Sequence, residues 1–200
     1  MLIMKIYYLI FNIQLVYMKK QPTIKDSTGY LDRIISNFIM PTLPLWHSIG
    51  VTPNILTTFG LISSILSLIF FYTYKTVYSV IFFIFRWYFD YADGMLARKY
   101  KQTSKFGDWY DHVTDWLFFI GYVIVLYSRS TNKLLHMFVL SIAMVLFSIQ
   151  FGCMEKANYK YYKEESSISR LRHLCIKNDF FLLTDNSVLY LVMIYLLCNV

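Results

Sequence analysis

Residues 89–116, "FDYADGMLARKYKQTSKFGDWYDHVTDW", decide how the rest of the chain is read. They hold Asp90, Asp93, Asp108, Asp111 and Asp115, five of only twelve acidic residues in a chain of 200. Asp90 and Asp93 are three apart, and Asp111 and Asp115 four apart, so each pair falls on one face of its helix. The connection over 99–106 is short enough to set the end of one helix beside the start of the next. Four carboxylates are therefore expected to converge.

What surrounds them is oily. Hydrophobic residues make up 57% of the chain, aromatics 20% and charged residues 16%. That composition excludes an ordinary soluble domain and predicts an all-α, polytopic membrane bundle. Segments 55–74, 77–97, 109–127 and 134–154 are each long enough to cross a hydrocarbon core of ~30 Å at ~1.5 Å per residue. A fifth, 187–200, is short for a span, so the C-terminal end reads as truncated. Before them, "STGYLDRIISNFIM" puts Leu31, Ile34, Ile35, Phe38 and Ile39 on one helical face. It predicts an amphipathic helix at the membrane surface, capped by Asp26 or Ser27 and ending at Pro41.

Residues 1–27 form a separate N-terminal segment with two readings. Its apolar run lacks a small-residue cleavage site and is followed, not preceded, by Lys19 and Lys20, which argues against a signal peptide. Either it is an extra helix, or translation starts at Met18. The membrane domain proper covers 28–200.

The formal charge of +7 is distributed by side. With an inner N-terminus, fifteen lysines and arginines lie in inner segments and three (Lys75, Arg129, Lys133) in outer loops, with Arg86 inside the second span. This positive-inside bias places the acidic stretch on the cytoplasmic face. The surplus charge thus reads as topology and contact with anionic lipid, not as nucleic-acid binding. Cys153, Cys175 and Cys198 show neither a paired nor a zinc-type spacing and are expected as reduced thiols, buried or facing lipid. Residues 155–185 read as a polar cytoplasmic loop.

A purely structural role for the aspartates fails on magnitude. One aspartate at the centre of a membrane helix costs about 2.5–3.5 kcal/mol, less near the interface. Four together repel one another, with only Arg86 and Arg98 nearby. Divalent cations would relieve the repulsion, and all-oxygen donors favour a hard ion, Mg2+ or Mn2+. Two ions suit the number of carboxylates and in-line displacement at phosphorus. Gly94 and Ala97 leave a bare helical surface, Gly107 lets the connection turn, and Arg98 offers a guanidinium suited to phosphate. The set describes a site for a diphosphate.

Asp90, Asp93, Gly94, Ala97, Arg98, Gly107, Asp111 and Asp115 together read D-x-x-D-G-x-x-A-R, eight residues, then G-x-x-x-D-x-x-x-D. In all eight positions and every spacing this resembles the signature of the CDP-alcohol phosphatidyltransferase family. Less specifically, Asn54 and Thr57 in "TPNILT" are similar to the family's lead-in to its first span, near the nucleotide. The resemblance implies a divalent-metal-dependent membrane enzyme that cleaves a CDP-alcohol, transfers its phospho-alcohol or phosphatidyl group to a second alcohol or diacylglycerol, and releases CMP. It implies Asp90, Asp93, Asp111 and Asp115 as metal ligands, Asp115 also as general base, and Gly94, Ala97, Arg98, Gly107, Asn54 and Thr57 as the CDP-binding surface. It further implies a homodimer and a core of six spans, one more than the five counted here.

Arg86, one turn before Asp90, is a candidate for pairing a carboxylate or a substrate phosphate. Asp108 reads as a first-turn residue favoured by the helix dipole. The "DH" of Asp111–His112 resembles the choline and ethanolamine phosphotransferases within the family, which makes His112 a candidate as well. Two other readings stand beside the enzyme. One is an inactive or truncated family member that binds metal. The other is a membrane prenyltransferase, whose paired aspartate motifs usually lie farther apart and would leave Gly94, Ala97 and Arg98 without a purpose.

Overall fold

The computed structural model describes residues 30–162, 169–175 and 186–200. All regular structure among them is helical. In chain order the helices are α1 (Tyr30–Ile39), α2 (Leu43–Ser48), α3 (Pro53–Tyr72), α4 (Thr76–Lys99), α5 (Lys105–Arg129), α6 (Lys133–Tyr162) and α7 (Asn186–Cys198). Short 3-10 turns occupy Met40–Thr42 and Ser169–Leu174. The four long helices and α7 fall on the five apolar segments. The expected N-terminal segment 1–27, with its candidate caps Asp26 and Ser27, lies outside the described residues.

Helices α3 and α4 make the most extensive pair in the molecule. Small residues allow it: Gly60, Ser63, Ser64 and Ser67 line the buried face of α3, the pattern that lets helix backbones approach. Ser67 and Ser79 then exchange hydroxyl bonds across the pair, each to the other's carbonyl, at 3.0 and 2.9 Å. Helix α5 packs on α3 at Gly121, where a Cβ would stand 2.6 Å from Cδ1 of Leu68.

Two apolar clusters hold the bundle. The larger gathers Phe71, Phe83, Phe118, Tyr122 and Leu126 with Leu140, Leu189, Met193, Leu196 and Leu197, so α7 closes the core rather than hanging beside it. The smaller joins Ile39 and Leu43 to Leu56, Ala92 and Leu96. Along α4 the first ends at Phe83 and the second starts at Ala92, and the charged residues Arg86 and Asp90 sit in the gap.

The amphipathic helix is present, but its apolar face divides. Ile39 is buried against the bundle, while Ile34 and Phe38 point outward. Asp32, also buried, accepts from Tyr91 Oη of α4 at 2.5 Å and from Ser187 of α7, N at 3.1 Å and Oγ at 2.5 Å. The chain does not stop being helical at Pro41. A 3-10 turn leads into α2, which the sequence reading did not anticipate, and Thr42 and Trp46 bond Tyr88 Oη of α4 at 2.6 and 2.8 Å.

Two further expectations are corrected. Helix α6 continues to Tyr162, past the end of its apolar run, so the polar segment 155–185 is not simply a loop; parts of it lie outside the described residues. Cys153 and Cys175, expected as thiols, form a disulfide with Cα atoms 4.5 Å apart. The partner is brought in by Gly152, whose missing side chain admits the carbonyl of Leu171. A separation of 22 residues gives no pattern to read. Cys198 is a free, exposed thiol.

Among the described residues two helices are both long and apolar enough to cross a membrane, Pro53–Tyr72 and the 133–156 part of α6. Helices α4 and α5 have the length, with 24 and 25 residues, but carry the charged groups. Helix α7 is only 13 residues long.

Candidate active site

Ser104 accepts from the Gly107 amide at 2.9 Å and so caps the start of α5, which satisfies one of the donors a helix N-terminus leaves open. Gly107 has a second role. A Cβ there would lie 3.0 Å from both Ser104 Oγ and Asn54 Oδ1. The glycine thus lets the first turns of α3 and α5 meet, which sets Asn54 against the signature.

With α5 placed against α4, three carboxylates meet. Asp90 from α4 and Asp111 and Asp115 from α5 each offer an oxygen within 4.8 Å of the others. Asp93 is not one of this group. Nearly buried at 4% exposure, it accepts from Thr57 Oγ1 of α3 at 2.6 Å. The structure therefore brings all four predicted aspartates to one end of the α3–α4–α5 contact, three open to one another and the fourth held by Thr57.

Arg86 neutralises part of this charge. Its Nη2 pairs closely with Asp115 Oδ1 and lies 3.8 Å from Asp90 Oδ1. Its guanidinium carbon stands 4.4 Å over the Phe118 ring, a cation–π contact that gains from desolvation. Its Nη1 donates to Tyr190 Oη at 2.9 Å, and that hydroxyl donates to Asp90 Oδ2 at 2.6 Å. Tyr190, from α7, was missed by the sequence reading. One tyrosine among eighteen, a hundred residues from its partner, carries no local signal.

The remaining candidates take different positions. Gly94 is a bare surface, and what lies on it is Arg98, whose Nη1 and Nη2 would be 3.2 and 3.3 Å from a Cβ there. Arg98 itself is exposed and Ala97 half-buried. The Arg98 guanidinium is thus folded back along α4 over Gly94. His112 donates from Nδ1 to the Asp108 carbonyl at 2.5 Å, and its ring meets Phe151 of α6 edge-on at 6.3 Å. It is not among the three converging carboxylates' neighbours in hydrogen bonding. Asp108 is in the first turn of α5, as expected.

Three hard oxygen donors within a cation's reach, carrying more negative charge than Arg86 offsets, fit a divalent ion such as Mg2+. Asp90, Asp111 and Asp115 would hold it, with Asp93 adjacent on α4. Such a donor set beside an exposed guanidinium is suited to binding and polarising a diphosphate.

Searches of curated proteins and of solved structures found no match to the chain. A family model does match, over residues 50–199, which takes in α3 through α7 and every residue of the acidic cluster. With the signature intact and its carboxylates converging, the chain belongs to the family that model describes, CDP-alcohol phosphatidyltransferase.

Proposed function

We propose that the protein transfers a phospho-alcohol or phosphatidyl group from a CDP-alcohol to a second alcohol at this site. The observation that carries the reading is the convergence of Asp90, Asp111 and Asp115 from two helices, beside the exposed Arg98. A divalent cation held there, Mg2+ or Mn2+ and in two copies when fully loaded, would supply electrostatic stabilisation of the diphosphate and the departing CMP.

The chain's own residues do the rest. Arg98, with Gly94, Ala97 and Gly107 leaving room along the helices, binds the diphosphate, and Asn54 and Thr57 flank the cytidine side. Asp115 accepts the proton of the acceptor hydroxyl, whose oxygen attacks the phosphorus distal to cytidine. The anhydride P–O bond breaks, and its electrons leave with CMP. Asp115 is suited to this because it stands within the converging carboxylates, and a base must lie within hydrogen-bond reach of the proton it removes.

The unit is the domain 28–200, with residues 1–27 as a separate segment. Helices α3 to α6 traverse the membrane, α7, at 13 residues, enters it as a short fifth helix that closes the core, and α1 lies on its surface presenting Ile34 and Phe38 to lipid. Helix α6 exposes Leu134, Phe138, Ile142 and Val145, a face for lipid or for a second copy in a homodimer. The bias of basic residues puts the site on the cytoplasmic side. The Cys153–Cys175 disulfide argues for an oxidising side, so the orientation is best tested directly, by labelling a cysteine placed beside Arg98 from either face. Among donors, the "DH" at Asp111–His112 favours CDP-choline or CDP-ethanolamine with diacylglycerol as acceptor.

The test is CMP release in liposomes with Mg2+ or Mn2+. CDP-choline and CDP-ethanolamine with diacylglycerol are set against CDP-diacylglycerol with polar alcohols. Release from the first set alone, lost in Asp115→Asn, is the expected result. Release from the second set alone would overturn the branch, and release from neither would overturn the reaction.

A further inference from the structure

The last helix reaches into the acidic site through one side chain, and the contact has a specific form. Tyr190 Oη donates to Asp90 Oδ2 at 2.6 Å and accepts from Arg86 Nη1 at 2.9 Å, while Arg86 pairs with Asp115 Oδ1. A hydroxyl from α7 thus links a carboxylate on α4 to a carboxylate on α5. We infer that Tyr190 is a positioning residue for the transfer reaction, holding Asp90 directly and Asp115 through Arg86.

The ring is fixed independently of the hydroxyl. Trp87 stacks on it at 5.1 Å with 4° between the planes, and Phe83 meets it edge-on at 5.8 Å. Arg86 is pinned likewise, over Phe118 at 4.4 Å and beside the Tyr190 ring at 5.5 Å. Its Nε has no hydrogen-bond partner among the described residues. The guanidinium is therefore oriented by Asp115 and Tyr190, not by satisfaction of all its donors.

The consequence is a division of labour between oxygens. Oδ2 of Asp90 and Oδ1 of Asp115 are committed to Tyr190 and Arg86. A cation or an acceptor hydroxyl would address the other oxygen of each, at Asp90 an Oδ1 that also lies 3.8 Å from Arg86 Nη2, in an orientation the two donors fix. Groups that orient ligands in this way typically matter by about 10–100-fold in metal affinity or activity.

This inference rests on the proposed transfer reaction, so its test includes a readout that needs no turnover. Tyr190→Phe in the full chain removes the hydroxyl and keeps the ring packing. Mn2+ affinity, followed by the EPR signal of free Mn2+, and kcat are each expected to fall about 10–100-fold. KM for the CDP-alcohol and the melting temperature stay near wild type. Arg86→Lys keeps the charge but cannot serve both partners, and is expected to show the same pattern. In the double variant the losses do not multiply, because both changes break one chain of contacts. Leu191→Ala, an exposed neighbour on α7, is the control that behaves as wild type.

Wild-type kcat and Mn2+ affinity in Tyr190→Phe would overturn the inference. So would losses that multiply with Arg86→Lys, or a loss that tracks melting temperature and disappears on cooling. If Tyr190→Phe does not fold, Arg86→Lys decides by itself, and unaltered kcat and Mn2+ affinity in it overturn the inference. Failure of the parent reading looks different: the wild type releases no CMP from any donor.

Discussion

Asp90 and Asp93 stand one helical turn apart on α4, yet their supports have little in common. Asp93 is nearly buried and takes a neutral hydroxyl bond from Thr57. Asp90 opens toward Asp111 and Asp115 and takes its bond from Tyr190, a hydroxyl that is itself tied to a cation. The first support comes from a neighbouring helix whose residue lies in a readable motif. The second comes from the far end of the chain. A neutral donor lowers the cost of a buried carboxylate without compensating its charge, whereas Arg86 compensates charge at the point where Asp90 and Asp115 approach each other. The difference is that one carboxylate is packed against a neutral hydroxyl of the neighbouring helix, whereas the other faces two more carboxylates and a shared cation.

The strongest challenge to that division is Asp115→Asn. As the proposed general base, Asp115 should account for about 10²–10⁴-fold in rate, so CMP release in liposomes is expected to fall to the blank while the fold persists. Residual turnover near wild type would place the base elsewhere. Thr57 probes the other support. Thr57→Val leaves Asp93 buried with one donor fewer, which should cost about 1–3 kcal/mol of stability, read as a lower melting temperature, while Thr57→Ser keeps both stability and turnover. If instead Thr57→Val loses Mn2+ affinity as steeply as Tyr190→Phe is expected to, the two supports are equivalent and Asp93 joins the ligand-binding group.

Gly107→Ala sharpens the placement of α5. Its Cβ meets Asn54 Oδ1 and the capping Ser104 Oγ at 3.0 Å, so one of the two must move. Disturbing the cap costs about 0.5–2 kcal/mol, and KM for the CDP-alcohol should rise more than kcat falls. The smallest effect on catalysis is expected from Cys153→Ser with Cys175→Ser. The crosslink closes a segment of 22 residues and contributes about 3 kcal/mol by loop closure, so stability falls while CMP release holds. A large loss of release would draw the Ser169–Leu174 turn into the site.

Much of this was legible. The five apolar segments became α3 to α7, because helix is the natural way for a continuous run of oily side chains to satisfy every backbone group. The spacing of Asp90 and Asp93, and of Asp111 and Asp115, put each pair on one face by the period of the helix alone. Thr57 and Gly107 were singled out, though for the nucleotide and the turn, and the structure gives both a packing duty as well. The divided face of α1 could not be read, since Ile34, Phe38 and Ile39 look alike in sequence and only the neighbouring helices decide which is covered. Helix α2 was hidden by Pro41 and Pro44, which the chain accommodates in first turns where a proline's missing N–H is harmless. The disulfide was hidden for the opposite reason: its enabling residue, Gly152, matters only once Leu171 is seen against it.

By itself the sequence determined the helical class, the family and the gathering of acidic residues, because hydrophobic length, helical period and motif spacing are all short-range properties. Only the tertiary structure decided which oxygens face one another and which are held. Arg86 chooses between Asp90 and Asp115 by the position of Phe118 and Tyr190, and Tyr190 reaches them because α7 packs against α4. Those contacts join residues 29 and 104 positions away from Arg86, and a one-dimensional pattern carries no information about which distant side chain a buried charge will meet.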